Sequence, residues 1–177
     1  MSQLHQMQFT YAPIEDRILF RMNTKARQEF RFWMTRRYVQ VLWNTILQIL
    51  KKKVSPPAAE MLDDKPLSEP MKEAKMQVDH KAAVENSDFK TQYEESTYLP
   101  LGEAPTLLFS VGVKPGPNNN ALLVLSPEKG QGIELALNDQ IVHSLCKLLS
   151  ETSQKAKWEL NLDFAQASKL MPEQGLN

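Results

Sequence analysis

One cysteine, Cys146, stands in a chain of 177 residues, so no disulfide forms within it. That scarcity points to a reducing, cytoplasmic setting. Three histidines, His5, His80 and His143, lie far apart, and there is no C-x-x-C pair. No metal-ligand spacing results, and no metal or cofactor is expected. Glycine is sparse, six in all, and "KGQG" at 129–132 bridges two apolar runs without opening a helix. It reads as a hairpin turn and excludes a phosphate-binding loop there. The longest apolar-rich run, "YVQVLWNTILQIL", is too short and too polar to span a bilayer, so no membrane partner is expected. The start, "MSQLHQMQFTYAP", lacks the basic and apolar regions of a signal peptide. Paired carboxylates occur only at Glu15–Asp16 and in a proline-bearing stretch where no cleft is implied. Cys146 falls on an apolar helical stripe, the place of a small core residue rather than a nucleophile. The chain therefore reads as non-enzymatic.

Net charge is also missing: 21 basic and 21 acidic residues cancel. The cancellation hides strong blocks. From Arg17 to Lys53 there are ten Lys and Arg and a single acid, Glu29. From Val54 to Ala104 there are five Lys and eleven acids, and the remainder is close to neutral. Blocks of this kind indicate polyanion binding, an acidic segment masking a basic one, or simply a solvated basic face.

Residues 54–105 carry scattered acids, prolines at 56, 57, 66, 70, 100 and 105, and little apolar periodicity. This composition predicts a mobile acidic linker. Within it Pro70 suits the first turn of a transient helix over 71–85. The flanking segments align without a gap at a shift of 103. Ile18, Phe20 and Met22 fall on Ala121, Leu123 and Leu125; Phe30, Phe32 and Met34 on Ile133, Leu135 and Leu137; Val39, Leu42 and Ile46 on Val142, Leu145 and Leu149. We read an internal repeat of two β-β-β-α units, 1–53 and 106–177, packed as one domain. In each, two strands alternate with period two across a polar turn, "NTKARQ" or "SPEKGQ". Thr35 or Asn138 then caps an amphipathic helix. The expected fold is α+β: an antiparallel sheet covered by two helices, arranged as a pseudo-twofold pair. A last alternating run, "KWELNLDFA", reads as a further extended segment at a sheet edge.

Alternation turns Phe30, Phe32 and Met34 toward the helix, and Glu29, Arg31 and Trp33 away from it. With Arg21 on the neighbouring strand, Arg27 at the turn, and Arg36 and Arg37 at the helix start, the first unit presents a cationic aromatic outer face. The matching positions of the second unit, Leu122, Val124, Glu134 and Ala136, are apolar and faintly acidic. Arginines neutralise phosphates and an indole stacks on bases, so this face could take single-stranded nucleic acid. In architecture alone the paired strand–helix repeats resemble the Whirly and purine-rich-element-binding families, which hold single strands on such sheets. Those families use four strands per repeat where three are counted here, and none of their motifs occurs, so no residue is carried over. The apolar second unit favours a different use: a small binding or adaptor protein that self-associates, as a homodimer, through the sheet face. A third reading has the acidic linker folded over its own basic unit.

Overall fold

The computed structural model describes residues 3–54 and 68–164. The β-branched and aromatic alternation of the first unit forms β1 (Leu4–Ala12), β2 (Arg17–Thr24) and β3 (Glu29–Met34). The chain then enters α1 (Arg36–Val54), where the Thr35 hydroxyl accepts from Tyr38 N–H at 3.2 Å. The basic run Lys51–Lys53 closes that helix at its negative end. Later come β4 (Thr106–Pro115), β5 (Ala121–Pro127), β6 (Ile133–Leu137) and a C-terminal helix, Asp139–Lys155. Asn138 caps this helix, its side-chain oxygen accepting from Ile141 N–H at 2.8 Å. The β5–β6 turn needs its glycine: a Cβ on Gly132 would lie 2.2 Å from the Leu125 carbonyl oxygen.

The six strands form one sheet in the order β1-β2-β3-β4-β5-β6. Positions matched at a spacing of 103 carry similar burial. Phe20, Phe32 and Met34 are buried, as are Leu123, Leu135 and Leu137. With Val39, Leu42, Trp43 and Ile46, and with Val142, Leu145 and Leu149, they form one continuous core. Cys146 is buried in the same layer, and burial raises its thiol pKa, as befits a packing residue. The first helix packs on β4 and the C-terminal helix packs on β1.

Three expectations are corrected. The sheet is mixed rather than antiparallel: β3 and β4 run parallel, paired at Phe32–Thr106 and Trp33–Leu107. The connection between them is long and contains helices, which returns the chain to the same end of the sheet and makes neighbours parallel. The assembly is consequently not a twofold pair, because a twofold would set equivalent strands side by side and antiparallel. The third correction concerns the helices, which number three among the described residues. Within the stretch read as a linker, 55–67 lies outside the described residues. The next part forms α2 (Glu69–Glu85), with Pro70 in its first turn, and the C-terminal helix is accordingly α3. From Ser87 to Pro105 the chain runs as an irregular strap around the sheet to its outer face.

The run after α3 keeps its alternation but does not form a strand among the described residues. Trp158 is buried and Leu160 and Leu162 are half-buried, while Lys157, Glu159 and Asn161 have positive φ (55°, 55° and 48°). That backbone cannot pair as a strand. Trp158 instead donates to Asp16 Oδ1 at 2.9 Å and meets the Tyr11 ring edge-on.

Candidate interaction face

Among the described residues no helix packs on the outer face of the sheet, which divides into a polar end and an apolar middle. At the polar end β2 and β3 place Arg21 opposite Arg31 and Asn23 opposite Glu29. Glu29 is 1% exposed and holds both arginines with one oxygen: Arg31 Nε at 2.7 Å and Arg21 Nη2 at 3.0 Å. Its other oxygen accepts from the Ser96 backbone N–H at 2.7 Å. Burial pushes the Glu29 carboxyl upward, but Ser96 N–H, Arg31 and Arg21 together hold it below the usual carboxylate range.

The strap completes this cluster. Glu95 pairs with Arg21 at 2.7 Å, and the Tyr93 ring lies 4.9 Å from the Arg21 guanidinium carbon. Asn23 Nδ2 donates to the Glu94 carbonyl at 2.8 Å, and Gln6 Oε1 accepts from Glu94 N–H at 3.0 Å. Glu29 N–H donates to the Tyr98 carbonyl at 2.9 Å, and Ser96 Oγ donates to the Arg27 carbonyl. An acidic segment is thus held mostly through its main chain, while Glu95 and Glu29 balance the charge of Arg21 and Arg31. Beside it an open groove of about 680 Å³ is lined by His5, Lys25, Arg27, Glu94, Glu95 and Thr97 among others.

Across the middle of the face runs an apolar row. Thr10, Leu19, Trp33 and Leu107 are register neighbours on β1 to β4. Leu19 and Trp33 are half-buried and Leu107 is 42% exposed. The β4 register then shifts between Leu108 and Ser110, and Phe109 within that bulge is 70% exposed. Tyr38 on α1 holds this bulge from below, donating to the Ser110 carbonyl at 3.2 Å. Further along the face, β5 and β6 set Leu122 opposite Ala136 and Val124 opposite Glu134; their β4 neighbours are Lys114 and Gly112, so this patch is offset from the row. The charge at that end is internally paired, Lys114 Nζ to Glu134 at 2.7 Å. From Leu108 onward β4 pairs on one side only, with β5.

Of the six candidate residues, the fold brings Arg21, Arg31 and Trp33 onto one face. Arg27 sits in the β2–β3 turn with φ 57°, and Arg36 and Arg37 are exposed at the start of α1, beyond the other end of β3. Six strand residues, about 20 Å, separate these two ends, so the arginines do not form one track. Sequence reasoning placed Glu29 on the outer face but missed its role as the hub. The available signal was a single acid, set two residues before Arg31, in an otherwise basic run.

Among the described residues, no three His, Cys, Asp or Glu side chains are gathered to hold a metal, and no helix is long and apolar enough to cross a membrane. No protein-family model matches the chain, and no curated protein and no solved structure matches it either.

Proposed function

We propose that the protein is a non-enzymatic binding protein that self-associates through the outer face of its sheet. The observation that carries this reading is the apolar row from Leu19 through Trp33 and Leu107 to Phe109. Phe109 is 70% exposed, and among the described residues no helix covers the outer face. Apolar rings and leucines in a contiguous band, rimmed by paired charges, suit a protein contact. A second copy is the occupant the charges favour. Arg21 and Arg31 are balanced by Glu29 and Glu95, and Lys114 by Glu134, so two such faces meet without like-charge repulsion. A closed pair formed by one self-complementary patch is the commonest oligomer.

The alternative is a single-stranded nucleic-acid binder. Its support is the exposure of Arg27, Arg36 and Arg37; against it, the two arginines beside Trp33 are already engaged. Size-exclusion elution followed at 260 and 280 nm, over a range of protein concentration and salt, separates the two. Self-association gives a concentration-dependent elution volume and no nucleic-acid absorbance. Nucleic acid that co-elutes at low salt and leaves at high salt favours the alternative.

A further inference from the structure

α2 is the least anchored helix. Of its residues from Glu69 to Glu85 only Met76 is buried. Its C-terminal half is fixed to α3 by a contact between two rings: His80 Nδ1 lies 3.2 Å from His143 Nδ1. At that separation one nitrogen donates and the other accepts, so at least one ring must be neutral. Two imidazolium rings would set two N–H groups and two positive charges against each other. Little water is at hand to relieve them. His143 is 3% exposed, and the Phe164 ring packs edge-on against His80 with centroids 4.9 Å apart.

The surrounding charges do not offer a substitute partner. On α3, Asp139 precedes His143 by one turn but is bound by Lys53 of α1 at 2.8 Å. On α2, Asp79 is bound by Lys75 at 2.7 Å. Lys147, one turn after His143, is paired with Glu151 and adds positive charge near His80. Burial, and then Lys147, lowers the pKa of His80. Burial first, then His80, lowers His143 to about 4, against a pull upward from Asp139 and Asp79. The strap starts where this contact ends: Gln140 donates to the Asn86 carbonyl at 3.4 Å, and Ser144 Oγ donates to Ser87 Oγ at 3.2 Å.

We propose that the His80–His143 contact is an acid-sensitive latch: protonation of the pair frees the C-terminal half of α2 from α3 and loosens the strap that follows. A released ring takes up a proton near the ordinary value of about 6.5, whereas the docked His143 resists protonation down to about 4. The stabilisation from docking is therefore complete above about pH 6.5 and is lost progressively as pH falls toward 4. The proposal does not depend on the sheet-face reading, because its readout is the protection of α2 and not the oligomeric state.

The test is amide hydrogen exchange of the full chain at about pH 7.5 and about pH 5, with rates corrected for intrinsic chemistry. In the wild type the protection of 77–85 drops on the order of tenfold at the lower pH, while β2, β3 and α3 keep theirs. His143→Gln, and separately the less buried His80→Gln, keep a hydrogen-bonding side chain that does not titrate. In each, the fall in corrected α2 protection between the two pH values is smaller than in the wild type, and in the double variant it disappears. Equal α2 protection at both pH values in the wild type overturns the latch. So does a pH response that survives undiminished in the double variant, or a loss of protection spread evenly over all elements. Protection of α2 gained on adding zinc at pH 7.5, and lost in His80→Gln, also overturns it and makes the pair a metal bridge.

Discussion

Glu29→Gln removes one negative charge and keeps nearly the same shape. It leaves Arg21 and Arg31, whose side chains are only 14% and 23% exposed, facing a neutral amide. Breaking a buried pair by removing one partner costs about 3–5 kcal/mol, because a charge is left uncompensated. Glu95 still pairs with Arg21, and both arginines touch some water, so the lower end applies: about 3 kcal/mol. For a chain of this size that is a fall in melting temperature of roughly 6–12 °C. The sign of the pH dependence follows from the carboxyl being held below its usual range. Its stabilisation is present above about pH 4.5 and is lost as pH falls below that value, so wild type and variant converge in acid. Denaturant unfolding of both proteins at neutral pH and at about pH 3 measures this. A loss under about 0.5 kcal/mol at neutral pH, the range of ordinary surface changes, refutes the hub. An equal loss at both pH values refutes its electrostatic origin. A triple variant, Arg21→Met, Glu29→Leu and Arg31→Leu, recovers most of the stability, since replacing the whole cluster strands no charge.

Two further outcomes concern the core. Trp43→Ala costs about 3–5 kcal/mol in denaturant unfolding, because the ring is 1% exposed and lies against Phe164. Trp43→Phe costs less than that, since it also removes a buried indole N–H that has no hydrogen-bond partner among the described residues. Cys146 in the native protein reacts with a thiol reagent only as fast as the helical layer opens. Labelling that is quick without denaturant contradicts its burial.

The core was legible in the sequence because helix and strand periods are local. Leu42, Trp43 and Ile46 on α1, and Phe20 and Phe32 on the strands, were assigned to the inner face by spacing alone, and all five are buried. The parallel join of β3 to β4 was not legible, since nothing in either strand encodes which neighbour it meets. The strap was hidden for a related reason. Residues 87–105 are held by main-chain bonds to Asn23, Gln6 and Glu29, and such contacts leave no periodic mark. Charge blocks suggested a basic face near an acidic segment, but not that Glu29 already neutralised it from within. The His80–His143 contact spans 63 positions and two helices, and two lone histidines at that separation carry no spacing signal.

The central claim is that the outer sheet face binds a second copy of the chain. Sedimentation velocity of the wild type, Trp33→Ala and Phe109→Asp, run side by side over a range of concentration, tests it most directly. Trp33 is half-buried and Phe109 largely exposed, so neither change removes a core residue. The account predicts a wild-type dimer, a weaker dimer in Trp33→Ala, and a monomer in Phe109→Asp, where a charge enters the centre of the contact. A wild type that sediments as a monomer at every concentration contradicts it, as does a dimer unchanged in both variants.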